Sequence, residues 1–139
     1  KFYIMNKQTG IWIDTKQAII VYLEKDGQQV KKIHSEIEKK VRVPGEGKWF
    51  SRMGQQFFNF DRKKKAHVQR DSLSFYQDIQ REIIGADELV LFGPANKKLE
   101  LEKYLKEHGI PESVIKGVKT ADSMTDNQVA AWVRNFFNR

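Results

Sequence analysis

The chain has 139 residues, no cysteine, 40% apolar residues and a formal charge of +7. That length suits one domain with a real hydrophobic core, and the lack of cysteine excludes disulfides and thiolate metal sites while permitting a reducing compartment. No apolar run approaches the roughly 18 residues that cross a bilayer, and Lys1–Gly10 lacks the apolar core of a signal peptide; a cytoplasmic protein is expected.

Ile11-Trp12-Ile13 and Ala18–Leu23 read as two strands joined by a tight connection. Asp26-Gly27 is a hairpin turn signal, and Val30–Ile37 alternates as a third strand. After Val43 the periodicity stops, and Pro44-Gly45-Glu46-Gly47 opens a segment with neither a strand nor a helix face. An irregular stretch of about 25 residues inside a compact domain is generally functional or mobile. Helical spacing resumes at Asp71, read as an N-cap, with Leu73, Tyr76, Ile79 and Ile83 on one face and Gly85 at C′.

Glu88–Phe92 is a continuous apolar run, the pattern of a buried central strand. Gly93 ends it, and Pro94 is expected as the first residue of the next helix. That helix has Leu101, Tyr104, Leu105 and His108 as its buried stripe and stops at Gly109. Val114–Val118 is a weaker strand. Thr125 and Gln128 form a capping box before Val129, Trp132, Val133 and Phe136 at helical spacing. The order β-β-β-loop-α-β-α-β-α predicts a mixed five-stranded α/β sheet of ribonuclease H-like arrangement, with helices packed on it. We expect one domain over 1–139, with a basic loop at 43–70 inserted within it.

The charge is concentrated. Lys39–Arg70 holds ten Lys/Arg against two acids, a local +8, so the rest of the chain is close to neutral. The same window carries Trp49, Phe50, Phe57, Phe58 and Phe60. Cations interleaved with aromatics suit a polyanion with stackable bases. Arg52, Arg62, Lys63, Lys64 and Lys65, with Lys48, are candidates for phosphate contacts, and Trp49 or Phe50 for stacking. Phe57, Phe58 and Phe60 could instead anchor the loop on the sheet. A solvated loop and an acidic protein partner are the competing readings.

Other chemistries fare less well in the sequence. A two-metal nuclease needs several converging carboxylates. Asp14 ends the first strand, but Phe92-Gly93-Pro94 brings no acid, Asp87 and Glu88 lie at the wrong end of that strand, and Glu36 and Glu38 run into the basic window. Asp14 is better read as a turn residue bonding nearby backbone N–H groups. His34, His67 and His108 have no metal-ligand spacing, and no phosphate loop of the G-x-x-x-x-G-K-S/T type occurs. No metal and no cofactor are expected.

The element order, the Leu89–Pro94 "LVLFGP" strand with its Lys-bearing helix, and a Gly-Gln in a basic loop before a helix resemble the central domain of eukaryotic and archaeal class-1 release factors and of Pelota. The resemblance spans about Gly10 to Phe137 and is one of arrangement. In such factors a Gly-Gly-Gln motif at the loop tip positions water on the peptidyl-tRNA ester. Here it corresponds to Met53-Gly54-Gln55. Gly54 and Gln55 match the second Gly and the Gln, and Met53 departs from the first. A side chain there restricts backbone torsions and adds bulk where close approach is needed. The resemblance implies contact with ribosomal RNA, tRNA or the ribosome, with peptidyl-tRNA ester hydrolysis through Gln55 as the alternative that Met53 weighs against.

Overall fold

The computed structural model describes residues 6–35 and 71–138. The segment 43–70, the continuation of the third strand through Ile37, and Glu36 and Glu38 lie outside them. Five strands are described: β1 (Gln8–Ile13), β2 (Gln17–Glu24), β3 (Gly27–His34), β4 (Glu88–Gly93) and β5 (Ile115–Thr120). Three α-helices accompany them: α1, helical over residues 71–82, α2 (Lys97–Glu107) and α3 (Asp126–Phe136).

The strands form one sheet in the order β3-β2-β1-β4-β5. β1 pairs antiparallel with β2, and β2 with β3. β1 and β4 are parallel, as are β4 and β5. This is the mixed α/β sheet of ribonuclease H-like arrangement expected from the element order. The two parallel central strands have both faces covered, which is why β1 and β4 read as near-continuous apolar runs rather than as alternation.

Two cores follow from the pleat. Ile11, Ile13, Ala18, Ile20, Leu89 and Leu91 pack on one face against Phe75, Tyr76 and Ile79 of α1 and Leu101, Tyr104 and Leu105 of α2. Trp12, Ile19, Val21, Leu23 and Phe92 pack on the other against Val129, Ala130 and Val133 of α3. Each fully buried aliphatic side chain is worth about 1.5–3 kcal/mol, so these two layers hold the fold. The capping box at α3 is present as read: the Thr125 hydroxyl accepts from Gln128 N at 3.2 Å, and Gln128 Oε1 accepts from Thr125 N at 2.9 Å.

The edge strand β3 is almost wholly exposed. Lys31 reaches Glu82 in the last turn of α1, and Lys32 reaches Asp126 of α3, but exposed ion pairs contribute little. The uninterrupted ladder from Gln17↔His34 to Glu24↔Gly27 is what retains the strand.

Four local expectations are corrected. Asp71 is already helical and buried, so it is not the N-cap. Leu73 is 53% exposed, and Phe75 takes its place in the core. Pro94 precedes α2 by three residues: β4 runs through Gly93, whose carbonyl accepts from Ala121 N at 3.0 Å, and residues 94–96 form the turn before the helix starts after Asn96. His108 is exposed at the C-cap, stacked on Tyr104 at 3.9 Å between centroids. Gly85 and Gly109 end their helices at φ +85° and +98°.

Candidate functional site at the carboxyl edge of the sheet

The residues singled out for binding or catalysis, Lys48, Trp49, Phe50, Arg52, Gly54, Gln55, Arg62, Lys63, Lys64 and Lys65, lie outside the described residues, as do Met53 and His67. What the fold defines is where the chain leaves them and meets them again. Ser35 follows β3 and is buried, and its N–H donates to Lys16 O at 2.8 Å, which holds it at the turn after β1. Residue 71 begins the described part of α1, whose Ser72 lies against Lys97, just beyond the carboxyl end of β4. Ser35 and Ser72, which flank the basic segment in sequence, therefore both lie at the carboxyl edge of β1 and β4. In open α/β sheets that edge is where ligand-binding loops gather.

Asp14 sits on this edge and is occupied with the turn. Its Oδ1 accepts from Lys16 N and Gln17 N, both at 2.8 Å, and its own N–H donates to Gln17 O. This is the turn chemistry read from the sequence. Among the described residues no three His, Cys, Asp or Glu come together as metal ligands. Neighbouring Gly93 has φ +153° and lies so near β1 that a Cβ would fall 2.2 Å from Ile13 O.

The first turn of α2 supplies a polar cluster that periodicity alone did not reveal. Lys97 Nζ donates to Ser72 Oγ at 3.0 Å, to Tyr76 Oη at 3.2 Å and to Glu100 Oε1 at 3.5 Å. Tyr76 Oη donates to Glu100 Oε1 at 3.1 Å, and the ammonium stands 5.5 Å from the Tyr76 ring centroid. The Lys97 side chain is only 11% exposed. Burial, then the charge and hydrogen bond of Glu100, push the Tyr76 hydroxyl well above the usual phenol range. Ser72 and Lys97 have the spacing of a nucleophile and base, yet Lys97 is the donor here, with its other N–H groups directed to Tyr76 and Glu100. The arrangement ties two helices together. Lys98 is buried alongside, its ammonium bonded to Ala95 O. The Lys97-x-x-Glu100 pair was visible as an i,i+3 spacing; its partners 25 and 21 residues away were not.

A second network lies at the opposite edge. Glu82 accepts from Lys31 Nζ at 2.6 Å and Tyr22 Oη at 3.2 Å, beside a cleft of about 290 Å³ also lined by Lys7, Gln8, Glu24 and Gln29. The hydrogen bond from Lys31 holds the Glu82 carboxyl below its ordinary 4.5, helped by Tyr22 and by the charge of Lys31 and opposed by partial burial. A carboxylate with a depressed folded pKa adds stability above its unfolded value and loses it as pH falls through the folded one. Glu82→Gln should therefore be less stable than wild type at neutral pH by under about 1 kcal/mol. The difference should shrink as pH drops below about 4.5. Urea midpoints at a series of pH values check this, and a gap that widens in acid would contradict it.

Sheet order and helices on both faces define the class: an α/β module of ribonuclease H-like arrangement. No protein-family model and no curated protein sequence matches the chain. Among solved structures, the Pelota protein of Thermoplasma acidophilum is similar at TM-score 0.57 and 12% identity, covering 96% of this chain and 32% of that one. An archaeal translation termination factor, aRF1, is similar at TM-score 0.55 and 13% identity, covering 96% of this chain and 39% of that one. At such identities the likeness is one of fold, and the chain spans well under half the length of either protein. No helix among the described residues is long and apolar enough to cross a membrane.

Proposed function

We propose that this chain is a translation-associated binding module, one domain over 1–139, that contacts ribosomal RNA or tRNA in the cytoplasm and acts in ribosome rescue or release. The observation that carries the reading is a conjunction. The fold is similar to part of an archaeal translation termination factor and of a Pelota protein, and the chain's +8 window falls in sequence between two residues, Ser35 and Ser72, that lie at one edge of the sheet. In this reading Lys48, Arg52, Arg62, Lys63, Lys64 and Lys65 neutralise phosphates, and Trp49 or Phe50 stacks on bases. Wild-type protein should co-sediment with ribosomes and be released progressively by salt. Nuclease treatment of a pull-down separates this from an acidic protein partner, since retention after digestion would contradict RNA contact.

Peptidyl-tRNA ester hydrolysis is the second reading, favoured by Gly54-Gln55 in the same window. Met53 opposes it, because a side chain there stands where the backbone must approach the ester. Release assays comparing wild type with Gln55→Ala decide between binding alone and catalysis. Equal release by both proteins would exclude Gln55 as the catalytic group.

A further inference from the structure

We propose that Lys97 is a positioning residue: it fixes the first described turn of α1 against α2, and so sets the position of Asp71 and Ser72, the residues that follow the basic segment in sequence. This rests on the RNA-binding reading above for its consequence, though not for its geometry. Three features carry the geometry. Lys97 bonds across to two residues of α1, Ser72 and Tyr76, one helical turn apart on one face. Glu100 closes the group from α2 by accepting from both Lys97 and Tyr76. The four side chains thus satisfy one another in a place where Ser72, Tyr76 and Lys97 are nearly out of solvent.

The rest of α1 is held differently. Phe75, Ile79 and the following Ile83 are anchored by apolar burial in the core. At the first described turn the buried face is polar, and Asp71 and Ser72 are buried there. The Tyr76 ring meets Tyr104 of α2 at 5.5 Å between centroids, and the directional, charge-assisted bonds of Lys97 add to that contact in fixing the angle at which the turn meets α2. Among the described residues Lys97 Nζ bonds both Ser72 and Tyr76, so its removal loosens the turn without opening the core.

Lys97→Met keeps an unbranched side chain of similar length and removes the ammonium; Ser72→Ala removes the nearest acceptor from the other side. In both variants amide exchange at Phe75 and Tyr76, whose N–H groups bond back to residues 71 and 72, should accelerate about tenfold. Exchange at Ile79 and in β1 and β4 should stay at the wild-type rate. Lys97→Met should also weaken co-sedimentation with ribosomes at a fixed salt concentration, without changing the slope of binding against salt, and Lys97→Arg should restore part of it. A uniform rise in exchange across α1 and the strands would overturn the proposal, because the cluster would then be general stabilisation. Local loosening with unchanged ribosome binding would overturn the positioning role. Failure of the wild type to bind would overturn the RNA reading and this consequence of it, and the exchange measurements would still report separately on the tie.

Discussion

Replacing Arg62, Lys63, Lys64 and Lys65 together by glutamine is expected to reduce affinity for ribosomes or for structured RNA by about a thousandfold at 0.1 M salt. The magnitude follows from counterion release. Each phosphate contact contributes about 0.7–0.9 to the slope of log affinity against log salt, so four contacts contribute about 3. That slope brings the contribution to nothing near 1 M and gives roughly three decades at a tenth of it. The rest of the chain has almost no net charge to compensate, because the +8 window accounts for more than the whole +7. Titrations at several salt concentrations read both quantities. Trp49→Ala provides the contrast: loss of a stacked base costs about 1–3 kcal/mol and leaves the salt slope unchanged. A quadruple variant with wild-type affinity and slope would remove the basic window from the function.

How far the sequence could be read depended on which kind of residue faces the core. The central strands were legible because a strand covered on both faces leaves an uninterrupted apolar run, as in Leu89–Phe92, all fully buried. α3 was legible because its capping residues are local and need no tertiary partner. The α1 stripe of Tyr76, Ile79 and Ile83 is buried as read, and only its first residue, Leu73, is misplaced. Ser72, Phe75, Tyr76 and Ile79 all lie on its buried face, and a serine at the head of that face made Leu73 look like the start of the stripe. Ser72 is buried because Lys97 satisfies it, and that bond spans 25 residues. No window on the sequence contains both partners. Pro94 is displaced for a different reason, since the chain uses residues 94–96 to turn out of the sheet before α2 can begin. The candidate site was legible only as composition: its residues lie outside the described ones, and the structure places only Ser35 and Ser72, on either side of them in sequence.

Gly93→Ala is expected to be among the most damaging single substitutions in the sheet, lowering stability by about 3 kcal/mol or more. Two costs combine. The backbone there has φ +153°, a conformation that side chains other than glycine's rarely adopt, and the new Cβ would lie 2.2 Å from Ile13 O and 3.2 Å from Ile13 C. The obstacle is backbone of the adjacent central strand, whose side chain is itself fully buried, so it cannot swing aside as a surface side chain would. Gly109→Ala separates the two costs. It has φ +98° and nothing within 4 Å of the added Cβ, so only the backbone term of about 1–2 kcal/mol applies. Urea denaturation followed through Trp12, buried on the neighbouring strand, measures both. A Gly93→Ala loss no larger than that of Gly109→Ala would mean that β4 can move away from Ile13. The carboxyl edge would then be more yielding than the contact between these strands implies, and the edge at which Ser35 and Ser72 lie would not be rigidly set by β1 and β4.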